Sequence, residues 1–120
     1  MSLIPDRLDL ALVRRLREVV GGEPATESEL RTLADQAGGW ERATEAQLRA
    51  SETRLSKLNA DPASTLAAIA VEVRRAESLA RELDEARDLI AGLEERTREL
   101  RTAYLKLHAE SVHGPRPKMT

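Results

Sequence analysis

Few side chains in this sequence are able to do chemistry. Two histidines, His108 and His113, stand five residues apart with Glu110 between them, a combination that in closer register would hold a metal ion. On a helix a spacing of five turns the two side chains onto different faces, so this pair does not converge on one ion. No cysteine is present to complete a site or to act as a thiolate nucleophile. Asp84 with Asp88, and Glu41 with Glu45, place carboxylates one helical turn apart, a spacing at which a general acid and a general base could cooperate. In a chain that is 33% charged, such pairs are the ordinary make-up of a solvated helix face. Neither a nucleophile, an aromatic pocket nor a glycine-rich phosphate loop accompanies them. The expectation is a non-enzymatic chain with no catalytic residue, no metal and no cofactor.

The rest of the composition sets the class. Trp40 and Tyr104 are the only aromatic residues besides the histidines, so a core must be built from Leu, Ala, Val and Ile, as in long helices and coiled coils. With 120 residues one domain is expected. The net charge of -2 gives no bulk attraction to nucleic acid or to an anionic membrane. The N-terminus has no basic segment followed by an apolar run, and no stretch approaches the roughly 20 apolar residues that span a bilayer, so a cytoplasmic location without membrane contact is expected.

Three helices follow from the periodicity. The first, about 5–20, carries Leu8, Leu12, Leu16 and Val19 on one face, with Pro5 in its first turn and Gly21 and Gly22 as its stop. The second, about 27–58, opens on Thr26 and Glu29, which have the form of a capping box. It carries Leu30, Leu33, Ala37, Trp40, Leu48, Leu55 and Leu58. Gly38 and Gly39 fall inside it at a cost of about 1 kcal/mol each relative to Ala. One long helix with a soft point is the reading preferred over two helices meeting there. Asn59 to Pro62 make the clearest turn, with Asp61 placed to cap the third helix and Pro62 to begin it. That helix, about 62–111, has an apolar stripe spaced three and four from Leu66 through Ile69, Val73, Ala76 and Ala80 to Leu107. The expected architecture is all-α: a long antiparallel helical hairpin with coiled-coil patterning, the short N-terminal helix packed as a third helix. A single helical domain over residues 1–111 precedes a flexible basic tail, 112–120.

The lengths do not match, and this bears on function. The second helix, folding back, should cover the third only to about Glu94, and the first helix can return across the other end to cover some of the remainder, which still leaves Leu100, Tyr104 and Leu107 poorly covered. A seam of this kind usually finds a partner chain. Residues 72–95 hold four Arg and eight acids, while 96–120 hold six Lys or Arg and two acids. An antiparallel pair of third helices about a two-fold axis near Glu95 would therefore lay Arg96, Arg98 and Arg101 along Asp84, Glu85 and Asp88. Leu93, Leu100, Tyr104 and Leu107 would supply the apolar contact. The expected role is a scaffold, adaptor or regulator that presents a coiled-coil surface to a second copy, to another helical protein, or to both.

A different role comes from a resemblance. The run Leu33, Ala34, Asp35, Gln36, Ala37, Gly38 resembles the first helix and turn of helix-turn-helix regulators. That resemblance implies a small DNA-binding regulator dimerised by its long C-terminal helix, with Arg42 and Arg49 facing the DNA. Residues 1–58 carry nine Lys and Arg against ten Asp and Glu, so they lack the basic footprint of a DNA reader. Nucleic acid is the less favoured partner.

Overall fold

A computed structural model describes the backbone of residues 3–113 and the side chains of residues 10–109. The fold is all-helical, with α1 at Leu3–Val20, α2 at Glu27–Ala60 and α3 at Leu66–His113. Leu8 and the 114–120 part of the expected tail lie outside the described side chains and backbone respectively.

Each boundary has a local cause. Helix α1 closes with Glu23 N–H donating to Glu18 O at 2.9 Å and Gly22 N–H to Val19 O at 3.1 Å. Gly22 takes a φ of 115°, the left-handed conformation that glycine adopts without a steric penalty. Thr26 Oγ1 accepts from Glu29 N–H at 3.0 Å and starts α2. The reciprocal half of the expected capping box is replaced by a longer-range contact. The Glu29 carboxylate receives Arg15 Nε at 2.5 Å and Arg15 Nη2 at 2.8 Å, a two-pronged ion pair that ties the end of α1 to the start of α2. These hydrogen bonds hold the Glu29 carboxyl below the usual carboxylate range.

Helix α2 runs without interruption through Gly38 and Gly39. Neither glycine has a left-handed φ, so nothing but intrinsic propensity disfavours the helix there, and packing of Ala37 and Trp40 on either side outweighs that cost.

The turn to α3 differs from the expectation. Asp61 caps no helix start. Its Oδ1 accepts from Ala63 N–H at 2.9 Å and its carbonyl from Ser64 N–H at 3.0 Å, forming a self-contained turn. Helix α3 therefore begins four residues later than Pro62, at Leu66, where Thr65 Oγ1 accepts from Ala68 N–H at 3.1 Å. An Asp before a Pro satisfies either geometry, and Thr65 was available as the better-placed cap.

The α2 and α3 helices form the antiparallel hairpin, and α1 lies against both at its open end. Arg17 pairs with Glu85, Val20 packs on Gly92, and Arg96 Nη2 donates to Gly22 O at 3.2 Å, so α1 runs parallel to α3. The close approach depends on Gly92: a Cβ there would sit 2.9 Å from Val20 Cγ1. The core gathers at this three-helix end from Leu16, Val19, Leu30, Leu33, Ala37, Trp40, Ala86 and Leu93. Leu79 and Leu83 extend it toward the turn.

Two polar contacts interrupt the apolar seam of the hairpin. Glu82 accepts from Trp40 Nε1–H at 2.7 Å and from Thr44 Oγ1–H at 3.1 Å. Further toward the turn, Glu72 accepts from Ser51 Oγ–H and from Arg54 Nε at 3.3 Å. Thr44 and Ser51 are buried, so the two glutamates supply acceptors that their hydroxyls need. The Ser51 hydrogen bond, followed by the Arg54 contact, holds the Glu72 carboxyl below its ordinary value.

Candidate interaction surface

Helix α2 begins beside Arg101 of α3, whose Nη2 donates to Glu27 at 2.8 Å. Beyond that ion pair α3 continues alone. Residues 102–113 extend about 18 Å at 1.5 Å per residue, and every described side chain from 102 to 109 is exposed. Three large apolar groups stand on this overhang: Tyr104 at 67%, Leu105 at 63% and Leu107 at 65% exposure. Tyr104 stacks on His108 with ring centroids 6.2 Å apart.

The residues expected to form an interface divide into two sets. Tyr104 and Leu107 are free of cover from their own chain, as their place past the end of α2 requires. Leu93 is not: at 2% exposure it is enclosed by α1 and α2. Leu100 is half-buried against the same cluster. The cover reaches further than Glu94 because α2 starts level with Arg101 and because α1 packs on Gly92.

The charged residues also find partners at home. Arg96 bonds the Gly22 carbonyl and lies 3.6 Å from Glu99, Arg98 pairs with Glu95 at 2.5 Å, and Arg101 with Glu27. Glu85 is taken by Arg17, while Asp84 and Asp88 remain exposed. An antiparallel pair centred on Glu95 could use Leu93 only by displacing α1 and α2. The hydrogen bond from Arg101 holds the Glu27 carboxyl below its usual range, in keeping with a firm contact at the last level of the hairpin.

Arg42 and Arg49 lie exposed on an unbroken helix, and Arg49 pairs with Glu45 at 3.0 Å. The turn that a helix-turn-helix reading needs at Gly38 is not formed. His108 is exposed, and the side chains of Glu110 and His113 lie outside the described residues. Among the described residues no group of three or more His, Cys, Asp or Glu converges as metal ligands. No helix is long and apolar enough to cross a membrane among those residues.

Two features went unread in the sequence. Leu105 lies off the three-and-four stripe, yet with Tyr104 and Leu107 it makes the overhang apolar around more than one face. The run Tyr-Leu-Lys-Leu was the available signal. The second is a groove of about 510 Å³ between α2 and α3, floored by Leu30, Ala34, Gly38, Ile90, Leu93 and Thr97. Small residues at 34 and 38 open it. Comparison with protein-family models, curated proteins and solved structures gives no match to this chain.

Proposed function

We propose that this protein is a non-enzymatic helical interaction module, a scaffold, adaptor or regulator of the cytoplasm that assembles as a homodimer through the C-terminal overhang of α3. The observation that carries this reading is the overhang itself. A chain that satisfies its buried hydroxyls internally leaves Tyr104, Leu105 and Leu107 largely exposed within four residues. Covering such a cluster with a second helix removes apolar area from water at roughly 25 cal/mol per Å², which is the usual driving force for helix association.

The interface differs in place from one centred on Glu95. It begins where the hairpin ends, so the ion pairs of Arg96, Arg98 and Arg101 remain as they are within each chain and the apolar groups carry the affinity. The test is sedimentation of the wild type beside a Leu105→Glu, Leu107→Glu double variant. Both positions are exposed, so the variant keeps its monomer fold. A dimeric wild type at tens of micromolar with a monomeric variant supports the reading. A wild type that is monomeric at that concentration overturns it.

A further inference from the structure

We infer that assembly through the overhang is gated by pH at His108, whose neutral ring is admitted to the interface and whose imidazolium is excluded from it. This rests on the reading of the overhang as the surface that meets a second copy, and adds how that contact is regulated.

Helix geometry puts the ring inside the apolar surface. At about 100° per residue the side chains fall around the α3 axis in the order Leu107, Tyr104, His108, Leu105, an arc of about 160°. Tyr104, one turn before His108, stacks on it with ring planes 11° from parallel. Leu105 flanks it on the other side. All four side chains are exposed in the single chain, so a helix laid over Tyr104 and Leu105 also covers the imidazole between them.

The charges around that arc offer an imidazolium no partner. Lys106 lies about 160° away around the helix, and the helix positions of Thr102 and Glu110, each four residues from Lys106, fall on the same far side. Arg101 stands two turns back on the face of His108, with its guanidinium on Glu27 at 2.8 Å. Every described side chain from 102 to 109 is exposed, so no charge of α1 or α2 packs against the ring. A two-fold contact brings a second His108 to this patch and no carboxylate. Covering a charge that has neither partner nor water is costly, whereas a neutral ring packs beside Tyr104 and Leu105. Imidazole changes charge between about pH 5 and 8, so the single chain takes up protons as pH falls and the assembled form does not. The contact is therefore strong at high pH and weakens on acidification.

Sedimentation of the wild type at about pH 7.5 and about pH 5.5 tests this. For rings with the ordinary titration of histidine, excluding the charged form weakens a contact about tenfold per ring across that interval, and about a hundredfold for the two rings of a dimer. The single chain keeps its fold at both, because the carboxyls of Glu27, Glu29 and Glu72 are held below their ordinary value of 4.5 and stay ionised; circular dichroism checks it. His108→Gln, uncharged and at an exposed position, should dimerise equally at both pH values. His113→Gln, which removes the only other histidine, should keep the wild-type dependence.

A dimer that Leu105→Glu, Leu107→Glu abolishes, yet that is equally strong at both pH values or keeps its dependence in His108→Gln, overturns the inference and leaves the overhang as the interface. A dimer that tightens on acidification puts a carboxylate against the ring, which a second copy does not supply, and overturns it too. A wild type that is monomeric at both pH values removes the reading of the overhang as well.

Discussion

Replacing Glu82 by alanine tests the hairpin at its most exacting point. In the native packing one carboxylate oxygen accepts both the Trp40 indole N–H at 2.7 Å and the Thr44 hydroxyl at 3.1 Å, from residues 6% and 2% exposed. Without the carboxylate the indole N–H loses its hydrogen-bond partner, and a buried unsatisfied donor costs about 1–3 kcal/mol. Thr44 fares better, because a helical threonine can turn its hydroxyl to the carbonyl one turn back. Alanine recovers a few tenths of a kcal/mol in helix propensity. The net expectation is a loss of about 2 kcal/mol, or some 6–10 °C in melting temperature for a chain of this size. Glu82→Gln, which keeps an acceptor but not the charge, should lose about half as much. Trp40 is the sole tryptophan, so urea denaturation followed by its fluorescence reads the site directly. Glu77→Ala, at an exposed position of the same helix, is the control and should change stability by less than about 0.5 kcal/mol. Equal midpoints for Glu82→Ala and Glu77→Ala would mean that the indole bond contributes nothing and that the hairpin register is set elsewhere.

Other outcomes follow from the same packing. Glu27, Glu29 and Glu72 are all held below the ordinary carboxylate value by hydrogen bonds. Their contribution is therefore complete above the unfolded value near 4.5 and is lost as pH falls through the lower folded values. Thermal melts should show stability declining below about pH 4.5, and Ser51→Ala, which removes the leading cause of the Glu72 shift, should be less stable at pH 7 but decline less steeply in acid. Gly39→Ala, where an added Cβ meets nothing within 4 Å, should stabilise by up to about 1 kcal/mol in chemical denaturation. Gly92→Ala should instead destabilise, because the contact with the stiff Val20 side chain forces a shift that outweighs the same propensity gain. Thr65→Ala should cost about 1 kcal/mol as loss of the α3 cap, a larger effect than Asp61→Ala, which disturbs only the turn.

Sequence periodicity carried most of the architecture because leucine-rich stripes at three-and-four spacing leave a helix little choice about which face it buries. Thr26 and Gly22 were legible for a related reason: their geometric roles are local and complete within a few residues. Asp61 was ambiguous, since Asp before Pro can cap a turn or a helix and the competing cap, Thr65, looks unremarkable in sequence. Thr44 and Ser51 could not be read as buried, because what makes their burial tolerable is an acceptor 38 or 21 residues away on another helix. That α1 packs back against the open end of the hairpin was legible, but its close approach at Gly92 was not, although a lone glycine inside a helix is the kind of residue that marks one. Exposure of Tyr104 and Leu107 was foreseen but the uncovered stretch was begun too early, after about Glu94 with Leu100 included, since the level at which α2 begins beside α3 depends on the Arg101 to Glu27 contact and not on helix length alone.

Hydrogen exchange at two protein concentrations tests the central claim most directly. In a single chain the amides of residues 102–109 belong to a helix with no cover, so they should exchange quickly, whereas those around Leu83 to Leu93 are protected by the core at any concentration. Assembly through the overhang predicts that protection of 102–109 rises severalfold between low and high micromolar protein and that the core amides do not change. Exchange of 102–109 that is equally fast at both concentrations would contradict the account, for it would leave Tyr104, Leu105 and Leu107 as exposed in the assembled protein as in the single chain.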